Sequence, residues 1–180
     1  MTQGSWKGVI LNLYNYHKSL LFTLCYTHLP LCTQSVSNDK EMEKGLVLNT
    51  SYDIFYLGKS ISKYKKFVHH KNQYDDSNRF DDYEIEIHGY NIELWCEDSR
   101  IVNICCRESC IYNGIELIKM KFEDFLNVIN EEPSNHEICY IPCRDNWGQN
   151  QHVYVFDKSG LQVWVWRGKI RTIIIYDSNT

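Results

Sequence analysis

The stretch YEIEIHGYNIELWCEDSRIVNIC, residues Tyr83 to Cys105, returns without a gap 69 positions later as HVYVFDKSGLQVWVWRGKIRTII, residues His152 to Ile174. Trp95 falls on Trp164, Ile101 on Ile170 and Ile104 on Ile173, while Arg100 meets Lys169, Ile92 meets Leu161 and Leu94 meets Val163. Each copy alternates with period two around central turn residues, Asp98-Ser99 in the first and Gly168 in the second, so each predicts a β-hairpin. A duplicated hairpin builds a sheet and a surface. It does not of itself build an active site.

Outward from the echo, Leu46 to Phe55 predicts a strand that Gly58 stops, with Ser60 placed to cap a short helix through Ile61, Tyr64, Lys65 and Val68. A matching phrase from Ile118 to Glu123 leads into a second helix with Phe122, Phe125, Leu126 and Ile129 on one face, ending near Glu132-Pro133. The fold class expected is α+β: an antiparallel sheet built from two similar helix-plus-hairpin units, about residues 57–106 and 118–176, with the helices packed mainly on one face. This domain spans residues 45–180. Alternation sends Ile92, Leu94, Cys96, Leu161, Val163 and Val165 toward those helices and leaves Trp95, Trp164 and Trp166 on the other face beside acids. Those rings are either covered by the chain's own N-terminal segment or serve as anchors for a partner.

At 180 residues and 43% hydrophobic content the chain suffices for one domain with a real core. Residues 1–44 form an N-terminal extension: an apolar helix or irregular segment followed by a polar linker from Thr33 to Lys44. Ser19 to Cys32 resembles a signal-peptide core, but His28 and Pro30 interrupt it and no Ala-x-Ala site follows. No apolar run reaches the length of a membrane span. A cytoplasmic protein with no membrane partner is expected.

Charge is distributed unevenly. Between Asp75 and Asp98 the acids Asp75, Asp76, Asp81, Asp82, Glu84, Glu86, Glu93, Glu97 and Asp98 face a single base, Arg79, a local balance of -8 in a chain of net charge -4. The run is either a solvated strand face or a patch that steers and pairs with a basic partner. No comparable basic stripe with interleaved aromatics is visible, so direct nucleic-acid binding is not expected.

The eight cysteines allow a disulfide framework, a zinc site or reduced, buried thiols, and the apolar content favours the last. The zinc alternative, an accessory or interaction domain, would use Cys106, Cys110, Cys139 and Cys143, although each pair is spaced more widely than the usual Cys-x-x-Cys knuckle. Cys143 with His152, or Cys139 with His136, could be assembled as a nucleophile and base, but neither cysteine has a protease signature around it. No phosphate loop, dinucleotide fingerprint or His-Glu-x-x-His motif is present. No catalytic residue, metal or cofactor is expected.

The phrase Tyr56-Leu57-Gly58-Lys59-Ser60-Ile61, a short helix, an acidic loop, and the strands YEIEIHG, IELWCED and RIVNICC resemble the small α+β immunity proteins of bacterial toxin systems, particularly those of contact-dependent growth inhibition. The resemblance covers roughly residues 46–177. It implies an immunity protein that binds the C-terminal domain of its cognate toxin one to one, that domain being most often a nuclease. The partner-binding residues expected are Asp75, Asp76, Asp81, Asp82, Glu84, Glu86, Glu97 and Asp98 as the electrostatic part, with Trp95, Trp164 and Trp166 as anchors. An acidic patch would complement the basic surface that a nuclease needs for phosphates.

Overall fold

A computed structural model describes residues 45–72, 80–142 and 148–178. The chain runs β1 (Leu46–Val47), β2 (Ser51–Tyr52), β3 (Phe55–Tyr56), a 3-10 helix (Ile61–Phe67), β4 (Val68–Asn72), β5 (Asp81–Ile87), β6 (Tyr90–Glu97) and β7 (Arg100–Cys106). It continues β8 (Ile111–Tyr112), β9 (Ile115–Glu116), α1 (Phe122–Ile129), β10 (Asn135–Pro142), β11 (Gly148–Phe156), β12 (Leu161–Trp166) and β13 (Lys169–Tyr176). One 8-stranded antiparallel sheet in the order β10-β11-β12-β13-β7-β6-β5-β4 dominates, with β1-β2-β3 and β8-β9 as separate small sheets. Of the described residues, 45–72, 80–138 and 151–178 form one compact unit, and 139–142 and 148–150 belong to a second. Within that second unit the Tyr140 ring fills the space that a side chain on Gly148 would occupy.

The α+β expectation is corrected to a mostly β architecture. Among the described residues the helices are only two, of 7 and 8 residues. The apolar spacing from Ile61 to Val68 makes a 3-10 helix that stops at Phe67, and Val68 already opens β4. The strand expected over Leu46 to Phe55 is instead folded twice. Asn49 (φ 58) and Asp53 (φ 54) adopt left-handed backbone, which Asn and Asp tolerate through their short polar side chains. The cover over the aliphatic sheet face is therefore mostly turns and two-residue strands rather than a helical layer.

The two halves share their geometry in detail. β6 and β7 pair with Ile92 opposite Cys106 and Leu94 opposite Ile104; β12 and β13 pair with Leu161 opposite Ile175 and Val163 opposite Ile173. Both pairs carry a register shift at the same place, between Trp95 and Cys96 in one and between Trp164 and Val165 in the other. Each tip is strapped by the segment before the half's helix. Gly58 N donates to Ile101 O (2.7 Å), Ile101 N to Lys59 O (3.0 Å) and Ile61 N to Ser99 O (3.0 Å). In the second half Lys119 N donates to Ile170 O (2.9 Å), Ile170 N to Met120 O (3.0 Å) and Phe122 N to Gly168 O (3.0 Å). The preceding strand departs from the gapless alignment. Tyr83 lies opposite Leu94, whereas Tyr154, and not His152, lies opposite Val163.

The halves join where β13 pairs antiparallel with β7, with Ile173 opposite Cys106, Ile174 opposite Cys105 and Ile175 opposite Ile104. Cys105 and Ile174 are equivalent positions, so exchanging the halves reproduces the register. A local twofold axis passes through that pair.

One face of the sheet, with Ile85, Ile92, Leu94, Ile101, Ile104, Phe156, Leu161, Val163, Ile173 and Ile175, forms the main core with Tyr52, Phe55, Ile61, Leu117 and Phe125. The opposite face is buried too, but mixed: Asp82, Glu93, Trp95, Asn103, Cys105, Gln162, Trp164, Thr172 and Ile174.

Candidate partner-binding site

The acids singled out in the sequence do not form one face. Asp81 begins β5 opposite Cys96, next along from Glu97, so Asp81, Glu97 and Asp98 share the end of the sheet where the β6–β7 hairpin turns. Asp81 and Asp98 are exposed, and Glu97 is half-buried opposite Arg100. Asp98 and Ser99 hold φ values of 49 and 64. Lys71 Nζ reaches Asp81 Oδ1 at 3.0 Å, and that hydrogen bond raises the lysine above its ordinary pKa. Arg100 turns its Nη1 onto the Gly58 carbonyl (3.1 Å) instead of toward Asp98.

Strand alternation puts Asp82, Glu84 and Glu86 on the other side of β5 from Asp81. Asp82 is buried, at 1% exposure, opposite Trp95. Glu84 accepts from Asn72 Nδ2 (3.5 Å), and Glu86 Oε2 lies 3.8 Å from His69 Nε2. Glu84 also stands directly opposite Glu93, a pairing of like charges that would be unfavourable alone. Arg107 resolves it by gripping Glu93 in bidentate fashion, Nη1 to Oε1 at 3.1 Å and Nη2 to Oε2 at 3.1 Å. Asp75 and Asp76 lie outside the described residues.

Of the three tryptophans, Trp95 and Trp164 are buried at 4% and 1% exposure. They are core residues of the second face, and Trp166 is the half-buried one, at the β12–β13 tip. Burial pushes the Cys96 and Cys105 thiols up to about 12 and raises Cys106 well above its ordinary value. These thiols stay protonated at neutral pH, which makes them poor nucleophiles and poor metal ligands. Cys106 and Cys110 meet in the core, but no cluster of three or more His, Cys, Asp or Glu ligands occurs among the described residues. Cys143 lies outside them.

His136 and His152, offered as bases for cysteine, bond to each other: Nε2 to Nδ1 is 2.9 Å with the rings 3° from parallel. With the ring centroids 5.1 Å apart, this is an in-plane imidazole–imidazole hydrogen bond. His88, in the β5–β6 turn, is taken up by Asp53 at 2.8 Å. No helix among the described residues is long and apolar enough to cross a membrane.

No protein-family model, curated protein or solved structure matches this chain. Function must therefore be argued from the site itself.

Sequence reasoning missed the opposite end of the sheet. Because β7 and β13 are antiparallel, the β12–β13 tip lies at the other end from Asp98, and it is basic. Arg167 and Lys169 flank its turn, Arg171 follows at the register shift, and the strap adds Lys119 and Lys121, the latter bridged to Lys169. The segments 119–121 and 167–171 are each short and far apart in the chain. No run of positive charge announces them.

Proposed function

We propose that this protein is an immunity protein that binds its cognate toxin domain one to one in the cytoplasm and neutralises it by covering a basic surface, such as that of a nuclease. The observation that carries the reading is the gathering of Asp81, Glu97 and Asp98 at one hairpin end of a rigid sheet. Such an end steers a positive partner over long range and then pairs with it at short range. Glu84 and Glu86, farther along β5, extend the negative field on the other face. The protonated thiols and mutually engaged histidines favour action by binding over action by chemistry.

The decisive test is co-expression with the toxin domain encoded beside this protein, followed by co-purification. The expected outcome is restored growth and a one-to-one complex with submicromolar affinity that weakens as salt is raised. No rescue, together with no complex at micromolar concentrations, would overturn the proposal.

A further inference from the structure

We infer that the basic end of the sheet binds single-stranded nucleic acid, with Lys119, Lys121, Arg167, Lys169 and Arg171 on the phosphates and Trp166 beneath a base. The inference is independent of the toxin reading, which uses the opposite end.

The first support is convergence. Lys119 N–H donates to Ile170 O at 2.9 Å and Lys121 bridges Lys169, which sets both strap lysines beside the tip. The guanidinium carbons of Arg167 and Arg171 lie 4.4 and 4.9 Å from the Trp166 ring centroid. Among the described residues none of the five cations has an ion-pair partner, and Arg171 Nε is buried without a hydrogen bond. Of the nearest acids in sequence, Glu116 accepts from Ser109 Oγ and from the Cys110 and Ile118 amides, and Glu123 and Asp124 in the first turn of α1 are exposed and unpaired with these cations.

The second support is conformational cost. Lys119 sits at φ 70, where the first half has Gly58 at φ 74. Lys121 is the N-cap of α1 with no capping hydrogen bond, where the first half has Ser60 accepting from Ser62 N. A lysine is disfavoured in left-handed backbone, at an N-cap and at the positive end of a helix dipole. The first half shows the residues that local stability prefers, and the second half has lysine at both places. Its tip residues Trp166, Arg167 and Lys169 replace Glu97, Asp98 and Arg100 at the equivalent positions. Local rules broken twice toward the same charge at one spot mark a functional surface.

Charge alone would also suit an acidic peptide. Trp166 decides for nucleic acid, because its indole is only partly buried and the two guanidinium groups that lie over it extend the stack, and an unpaired base can add to such an arginine–aromatic layer.

The test is fluorescence anisotropy of a labelled oligothymidine of about 15 nucleotides with the full chain. Neutralising five phosphates should weaken binding about 100-fold between about 50 and about 200 mM salt. K119G/K121S, which restores the first half's residues, should weaken binding at least about tenfold while raising the Tm by a few degrees. W166A should weaken binding by at least about fivefold. D98N, at the equivalent tip of the other half, should leave affinity within about twofold. The inference falls if no binding is seen at about 100 μM protein in low salt. It also falls if K119G/K121S binds like the parent or loses stability, or if D98N weakens binding as much as K119G/K121S. Displacement of the oligonucleotide by an equally charged polyglutamate at equal concentration would reassign the site to an acidic protein and overturn it too.

Discussion

Gly160 and Gly168 show how differently two residues of one type are constrained. Both have positive φ, 63 and 71, but a methyl on Gly168 would meet nothing, whereas one on Gly160 would overlap Asn49 Oδ1 and the Tyr176 carbonyl oxygen. Around Gly160 the turn is held on every side. Tyr176 N donates to Gly160 O (2.9 Å), Asn49 N to Ser159 O (3.0 Å), and Lys158 N and Ser159 Oγ both donate to Glu131. Gly168→Ala should therefore cost only the left-handed backbone penalty, about 1 kcal/mol. Gly160→Ala should cost about 3 kcal/mol or more, since backbone cannot move aside. Urea unfolding of the two variants checks the difference, and equal losses would contradict the packing described.

The β6–β7 hairpin carries the electrostatic prediction. Asp81 and Asp98 are exposed, so D81K/D98K should retain the fold and slow association with a basic partner by about tenfold, leaving the off-rate little changed. Stopped-flow association at two salt concentrations reads this. Asp82 is unsuitable for the same exchange, because a lysine in its buried place would damage the second face.

Legibility in the sequence also divides by element. β6, β7, β12 and β13, of 6 to 8 residues, declare themselves because the same apolar, partly alternating pattern occurs twice around turn residues, and the faces of β6 and β12 are those the alternation assigned. β4 (VHHKN) was hidden behind the helix-like Ile61, Tyr64 and Val68 spacing, and its own alternation is broken by a register shift between Val68 and His70. Strands of two residues have no period to read. The two-residue slip of β11 against β5 was invisible for a sharper reason: a slip of two keeps every side chain on its own face, so the pattern does not change. In the candidate site, the acids could be found by counting but not placed, because alternation divides a continuous run between two faces. The basic end could not even be counted, since its cations come from two separate segments.

At the scale of the whole molecule, buried thiols couple stability to pH. The Cys96 and Cys105 thiols have an ordinary value of 9.0 when unfolded and are held at about 12 when folded. Below pH 9 both states keep the proton and their full contribution is present. Above it the unfolded thiols ionise first, so the folded state loses ground as pH rises toward 12. The loss should be about 1 kcal/mol for each thiol by pH 10. Thermal unfolding between pH 8 and 10 should show the fall, and C96A/C105A should reduce it, leaving the part that the buried Cys106 thiol contributes; an unchanged slope would refute the burial argument. Tyr52 and Tyr176 are raised as well by burial, but from an ordinary value of 10.0, so they contribute mainly above this window.

The seam between β7 and β13 has its own consequence for handling the protein. Because each half offers the other the same complementary border, the first half of one molecule can lodge against the second half of another once the connector from Arg107 to Cys110 opens out and gives up its Arg107–Glu93 and Glu108–Asn91 contacts. Concentrated preparations thus have a route to entwined, domain-swapped pairs in which the paired strands of each half stay together, and shortening that connector would favour them.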